Sequence, residues 1–306
     1  MSDRYWELTV PAAPDSTEGL TNFLWELGAL GVVEEDIAGT SRLRAFFAGA
    51  LNADTLRWRV EAYVDGLVAL GFAAPGPIDI GPLADNGWAE AWKAHFRPIA
   101  VGRRLTVAPP WSMPPSDGRL VIVIEPGRAF GTGHHGTTAG CLEAVEHIVE
   151  RDAPATAIDI GTGSGILAIA AARLGVPRIL AIDDDPDAVA AALANAARNR
   201  VCDRVRCRLG DAAALETPPA PLVIANLLSA AHRRLADHYA RVVAPGGSLV
   251  LGGILDGEAA EVTTIVAQAG FRPENERSLE GWTTIELRRA PRPDEARRRA
   301  ALHDHA

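Results

Sequence analysis

Lysine is almost missing from this chain. Of its 306 residues one is lysine, Lys93, against 29 arginines, and the acidic residues leave a formal net charge of −9. The arginine preference reads as compositional bias. The acid excess argues against a molecule built to lie along a phosphate backbone, because such binding rests on neutralising phosphates with cations, so no DNA partner is expected. It suits a basic partner instead. Cysteine is scarce too: Cys141, Cys202 and Cys207 are odd in number and lack metal-ligand spacing, which excludes a disulfide framework and suggests reduced thiols in a cytosol. No stretch approaches the ~20 consecutive apolar residues of a membrane span. The start, Met1-Ser2-Asp3-Arg4, lacks the apolar core of a signal peptide, so a soluble cytoplasmic protein is expected. His134 and His135 are adjacent, face different ways and have no carboxylate at zinc-protease spacing, so no metal is expected. The rest of the composition is ordinary for a globular enzyme, at 48% hydrophobic and 23% charged, and the length suits two domains or one with a sizeable appendage.

Two common nucleotide signatures are absent as well. The dinucleotide fingerprint would need glycine where Ile166 stands, and no G-x-x-x-x-G-K-[ST] loop is present. What stands instead is Asp159-Ile160-Gly161-Thr162-Gly163-Ser164-Gly165, after the apolar run Thr156-Ala157-Ile158 and at the head of an alanine-rich helix. Gly161, Gly163 and Gly165 allow a tight turn and a close approach to a ligand, next to a helix N-terminus that favours polar or anionic groups. Asp183 closes a second apolar run, Arg178–Ile182, where an acid commonly clamps a ribose. The D-x-G-x-G-x-G pattern resembles motif I of the S-adenosylmethionine-dependent methyltransferases, which need no pyrophosphate cradle. S-adenosylmethionine is therefore the expected cofactor.

Periodicity divides the chain. Residues 1–80 read as β-α-β-β-α-β, the ferredoxin-like arrangement. The strands are Tyr5–Val10 (ended by Pro11), Val32–Ile37, Arg42–Phe47 and Ile78–Ile80, and helices start at Asp15–Glu18 and Asn52–Asp54. Residues 81–100 form a linker, with Trp88, Trp92 and Phe96 on one face of a helix packed on the next domain. Leu105–Val107 and Leu120–Ile124 then suggest a hairpin. Residues 101–290 otherwise alternate strand and helix, the pattern of a doubly wound α/β sheet that ends in an antiparallel pair. Pro245-Gly246-Gly247 is read as a helix stop before a strand at Ser248–Leu251. The arginine-rich tail, 291–306, has little to bury and is expected to be disordered.

Two further segments narrow the chemistry. Glu125 to Thr138 is an irregular loop with Phe130, four glycines and paired threonines; its hydroxyls and N–H groups could reach a cofactor's carboxylate and amine, and Phe130 could cover it. Alternatively, Thr137 or Thr138 merely caps a helix. Val223-Ile224-Ala225-Asn226 is a buried strand ending in a polar residue at the carboxyl edge, where ligands of open α/β sheets bind. Asn226 could orient an amine there. Enzymes that methylate adenine or glutamine amides typically continue Pro-Pro-aromatic at this point. Leu227-Leu228-Ser229 offers no such clamp, which favours an aliphatic amine.

Together these segments resemble the ribosomal protein L11 methyltransferase family across nearly the whole chain up to about residue 290. The resemblance rests on the small N-terminal domain, Trp88–Phe96, the Pro126–Thr138 loop with Phe130-Gly131-Thr132-Gly133, Asp159–Ala168, Asp183-x-Asp185-Pro186, Ala225-Asn226-Leu227, Gly253-Ile254-Leu255 and Trp282. It implies a Rossmann-like class I methyltransferase sheet with a small N-terminal ferredoxin-like α+β domain. It also implies cofactor contacts from Thr138, Gly161, Asp183 and Asn226. The implied activity is N-methylation of lysine ε-amines or the N-terminal α-amine of ribosomal protein L11, gripped by the N-terminal domain. Gly136 departs from the family, whose members often have proline there. A lysine methyltransferase of another protein and a non-catalytic adaptor stay open as alternatives, and a monomer is expected.

Overall fold

The computed structural model describes residues 5–13, 16–29, 31–37, 40–48, 52–69, 71–73, 76–83, 97–126 and 136–291. The described residues divide into two compact units, Met1–Arg97 with Pro126–Arg128, and Pro98–Glu125 with Ala129–Ala306.

In the smaller unit the order is β1 (Tyr5–Ala12), α1 (Thr17–Glu26), β2 (Gly31–Ile37), β3 (Thr40–Ala48), α2 (Ala53–Ala69) and β4 (Asp79–Leu83). This is the β-α-β-β-α-β element order expected from the sequence, and the strands pair antiparallel in the order β2-β3-β1-β4. Strand alternation puts Leu8, Val10, Leu43, Ala45 and Phe47 on one face, where they bury against Leu20 and Leu24 of α1 and Leu56, Val60 and Val64 of α2. Asn52 caps α2, its Oδ1 accepting the N–H groups of Asp54 (2.8 Å) and Thr55 (3.2 Å). Pro11 does not end β1 as expected. Pairing with β4 stops at Thr9, so Pro11 lies where β1 has only β3 beside it and a missing N–H is tolerated.

The larger unit begins with β5 (Ile99–Val101), β6 (Leu105–Ala108) and β7 (Leu120–Val123). β6 and β7 are not the expected hairpin; they run parallel, with β5 antiparallel to β6. The connection between them, from Pro109 to Arg119, contains four prolines and is long enough to carry the chain back before it re-enters the sheet. Next come α3 (Gly136–Asp152), β8 (Ala157–Ile160), α4 (Ile166–Leu174), β9 (Ile179–Asp183), α5 (Pro186–Arg198), β10 (Val205–Leu209) and β11 (Ala220–Asn226). The last described elements are α6 (Ser229–Val242), β12 (Val243–Leu255), α7 (Ala259–Gln268), β13 (Phe271–Leu279) and β14 (Trp282–Arg289). The sheet order is β10-β9-β8-β11-β12-β14-β13, with β8 to β12 parallel and β14 antiparallel to both its neighbours.

Period-two burial sorts this sheet into two faces. Ala157, Leu222, Ile224 and Val250 join a core with α3, α4 and the three-stranded sheet, whereas Ile158, Ile160, Val223, Ala225, Leu249 and Leu251 join one with α6 and α7. The sheet is therefore covered on both sides, as doubly wound sheets are. Strand order reverses between β8 and β11, so ligands belong beyond the carboxyl ends of these two strands. Pro245-Gly246-Gly247 differs from its expected role: β12 already starts at Val243, and the three residues sit in a register shift between Ala220↔Val243 and Leu222↔Ser248. Among the described residues no helix is long and apolar enough to cross a membrane.

Candidate active site

Beyond β8 the chain turns on glycines. Gly161, Gly163 and Gly165 take φ of 68°, 53° and 83°, the left-handed region. The turn hangs from the end of β9, where Gly161 and Thr162 both donate N–H to the Ile182 carbonyl at 2.9 and 3.0 Å. At Gly165 a Cβ would come within 3.1 Å of the Ala192 Cα, so glycine there also lets α4 approach α5. At Gly161 a Cβ would come 2.3 Å from Leu227 Cδ2, so the residue after Asn226 already covers this glycine.

Asp183 sits half-buried at the edge of the turn. Its Oδ2 accepts the Gly163 N–H at 2.9 Å and its Oδ1 accepts the Asp185 N–H at 3.1 Å. Each oxygen keeps a lone pair for a ligand hydroxyl. Asp185 in turn caps α5, accepting the Asp187 N–H at 2.8 Å with Pro186 in the first helical turn.

Asp159, 1% exposed, lies under the turn. Its Oδ2 accepts the Thr162 hydroxyl at 2.6 Å and the Ala168 N–H at 3.2 Å, so it caps α4 from the strand, a service Gly165 cannot provide for want of a side chain. Oδ1 has no hydrogen-bond partner. Burial pushes this carboxyl up to about 6, with its two hydrogen bonds opposing the rise.

Across the switch point stands Asn226, the last residue of β11. Its Oδ1 accepts the Thr137 hydroxyl at 2.7 Å, and its Nδ2 reaches Thr138 Oγ1 at 3.5 Å. Thr137 accepts the Gly253 N–H at 2.5 Å, which leaves its own proton for Asn226. Gly252 and Gly253 are needed for this fit: a Cβ on Gly252 would meet Asn226 Oδ1 at 2.9 Å, and Gly253, at φ 75°, would bring one 2.3 Å from the Leu227 carbonyl. The paired threonines are thus more than a helix cap, because they dock α3 on the ends of β11 and β12. Gly136, just before them, is packed as well, with a would-be Cβ 2.5 Å from the Leu279 carbonyl at the β13–β14 turn. The glycine is therefore held against that turn.

The structure joins Gly161, Gly163, Gly165 and Asp183 in one group and Thr138 and Asn226 in another, with Leu227 between them. Phe130, His134, His135 and the Trp88–Phe96 helix lie outside the described residues. Trp282 is half-buried and pairs with Leu255 where β12 and β14 reach the same edge. Sequence reading missed Asn195, which donates from Nδ2 to the Ser164 carbonyl (2.9 Å) and accepts the Glu125 N–H (3.2 Å), tying the glycine turn to the strand before the 127–135 segment. It also missed His232 and Tyr239, which lie behind Gly252. A left-handed glycine turn at a helix N-terminus, facing an acid with spare lone pairs, fits a nucleoside cofactor. Among the described residues no group of histidine, cysteine or carboxylate could hold a metal ion.

Comparison with known proteins adds the family. The model described as Ribosomal protein L11 methyltransferase (PrmA) matches residues 4–290. The chain belongs to this family. Relatives called ribosomal protein L11 methyltransferase from Pelobacter propionicus and Trichlorobacter lovleyi are each 36% identical to it, over 95% of this chain and 100% of theirs. The crystal structure of a ribosomal protein L11 methylase from Lactobacillus delbrueckii subsp. bulgaricus matches with TM-score 0.59 and 28% identity, covering 64% of this chain and 100% of that one. Family membership agrees with the sheet order and with the resemblance carried by the Asp159–Ala168 and Ala225–Leu227 segments.

Proposed function

We propose that this chain is an S-adenosylmethionine-dependent protein methyltransferase that methylates amine nitrogens of ribosomal protein L11, at lysine ε-amines, the N-terminal α-amine or both. The observation that carries the reading is the pairing, at one topological switch point, of the Gly161–Gly165 turn and Asp183 with an Asn226 held in place by Thr137.

Asp183 would accept the ribose hydroxyls with its free lone pairs, and the glycine turn would lie against the methionine part. Thr138 and Asn226 would meet the other end of the cofactor, with Phe130 as a cover. When bound, S-adenosylmethionine supplies an electrophilic methyl group on a sulfonium. Asn226 keeps one Oδ1 lone pair after accepting from Thr137, and with it would accept an N–H of the incoming amine and aim the nitrogen lone pair along the line of attack. The amine must be neutral, whereas a free lysine titrates near ~10.4. A site closed over by Leu227 would lower that value by desolvation, and the proton would leave to water. No side chain is assigned as general base, so positioning supplies most of the rate. Leu227-Leu228-Ser229 in place of an aromatic clamp supports an aliphatic amine. The smaller unit would grip the substrate protein, in a cytoplasmic setting.

Methyl-labelled cofactor incubated with purified L11 tests this. Label recovered as methylated lysine or a methylated amino terminus is expected. Label on arginine or on RNA, or cofactor binding without transfer, contradicts the reading; the last outcome would favour an adaptor.

A further inference from the structure

His232 is fully buried on α6, and sequence reading gives it no task. Its Nε2 lies 2.8 Å from the Gly252 carbonyl and its Nδ1 lies 2.8 Å from the Tyr239 hydroxyl. A carbonyl only accepts, so Nε2 carries the proton, Nδ1 accepts, and Tyr239 donates. Desolvation keeps the ring neutral, pushing it down to about 4, and holds the Tyr239 phenol protonated. The Gly252 carbonyl also accepts the Leu227 N–H at 3.1 Å. The same peptide unit carries the Gly253 N–H that donates to Thr137, whose hydroxyl donates to Asn226. Every donor in the series Tyr239, His232, Gly253, Thr137 points towards Asn226, an arrangement in which each bond polarises the next.

We propose that His232 is a positioning residue for methyl transfer, fixing the Asn226 side-chain amide through the Gly252–Gly253 peptide and Thr137. This rests on Asn226 meeting the incoming amine, as argued above. Without the His232 bond, the Gly252 carbonyl keeps only the Leu227 N–H, and the peptide between two glycines is held by one acceptor bond fewer. The Gly253 N–H that donates to Thr137 is then less firmly fixed, and the Asn226 amide gains freedom to rotate. The ribose contact by Asp183 and the glycine turn lies on the other side of Leu227 and stays in place, so the loss falls mainly on the Asn226 end of the site.

The test compares full-length His232→Leu, His232→Gln and Tyr239→Phe with Asn226→Ala, measuring kcat and KM on L11, cofactor Kd by calorimetry, Tm, and the Asn226 side-chain amide NMR signal. His232→Leu should lower kcat by about tenfold, the size of one lost hydrogen bond, with cofactor Kd changing much less than kcat because Asp183 and the glycine turn keep their hold. His232→Gln should recover most of kcat because its amide can still donate to Gly252, even if Tm falls as far as in the leucine variant. Tyr239→Phe removes one hydroxyl only and should shift the Asn226 signal. The double variant with Asn226→Ala should be no slower than Asn226→Ala alone. An unchanged kcat in His232→Leu, a glutamine variant as slow as the leucine one, or an unmoved Asn226 signal in Tyr239→Phe overturns the proposal. An unchanged kcat in Asn226→Ala would instead overturn the role of Asn226 itself, and this proposal with it.

Discussion

Asp183 has two duties at once. It shapes the glycine turn through the N–H groups of Gly163 and Asp185, and in the proposed function its remaining lone pairs take the ribose hydroxyls. Asp183→Ala loses both and should weaken S-adenosylmethionine binding by tenfold or more, about 1.4 kcal/mol, when measured by calorimetry. Asp183→Asn keeps one acceptor oxygen and should fall between the two. Equal Kd in wild type and the alanine variant would remove the acid from the site. Asp159 differs in kind: it is buried and caps α4 from beneath, although both acids lie near the ends of neighbouring strands. Their spacing could not separate these duties, since what divides them is burial. Asn226 was legible as a polar residue closing an apolar strand. Its fixed amide was not, because Thr137, Gly252 and Gly253 come from distant elements and meet it only in the folded chain.

Among the elements, the turn between β8 and α4 is the most constrained. Gly165→Ala would put a Cβ in the left-handed region and against Ala192, so α4 and α5 must part. The left-handed region alone costs about 1–2 kcal/mol and the overpacking adds about 1–3 kcal/mol, which should lower Tm by several degrees and weaken cofactor binding. Gly175→Ala is the control, since it is also left-handed but its Cβ would meet nothing within 4 Å. Equal Tm losses in the two variants would contradict the role given to the α4–α5 approach. Alternation and cap signals made most of the larger sheet readable, from β8 to α5, because each strand there is short, apolar and bounded by glycine, proline or aspartate. Reading failed where local chemistry admits two outcomes. β6 and β7 have the same residue types in a hairpin or a crossover, and Pro245-Gly246-Gly247 is equally at home in a loop or in a bulge of β12. His232 and Asn195 escaped notice because an inward-facing polar residue on an amphipathic helix looks like any other interruption of the apolar stripe.

At the scale of the whole molecule, two buried titratable groups oppose each other. Asp159 is pushed up to about 6, so the folded state keeps a proton that the unfolded chain has already lost, and its contribution to stability fades as pH rises from about 4 to 6. His232 is pushed down to about 4, so the unfolded chain takes up a proton that the folded one refuses, and stability falls as pH drops from 6.5 to 4. Each effect is on the order of 3 kcal/mol, and in wild type they largely cancel. Denaturant unfolding between pH 4 and 7 should therefore show Asp159→Asn gaining on wild type as pH rises and His232→Gln gaining as it falls. Parallel curves for all three would mean that neither group is buried as described. The same chain places a cofactor turn, a fixed asparagine and a ferredoxin-like unit within one L11 methyltransferase family member, and the reaction is the claim on which the rest depends. The direct measurement is the intact mass of purified ribosomal protein L11 after incubation with this protein and S-adenosylmethionine. Mass gained in steps of one methylene, slowed with Asn226→Ala and lost with prior blocking of L11 amines, is the expected result. An unchanged L11 mass, with cofactor binding shown in the same preparation, would contradict it.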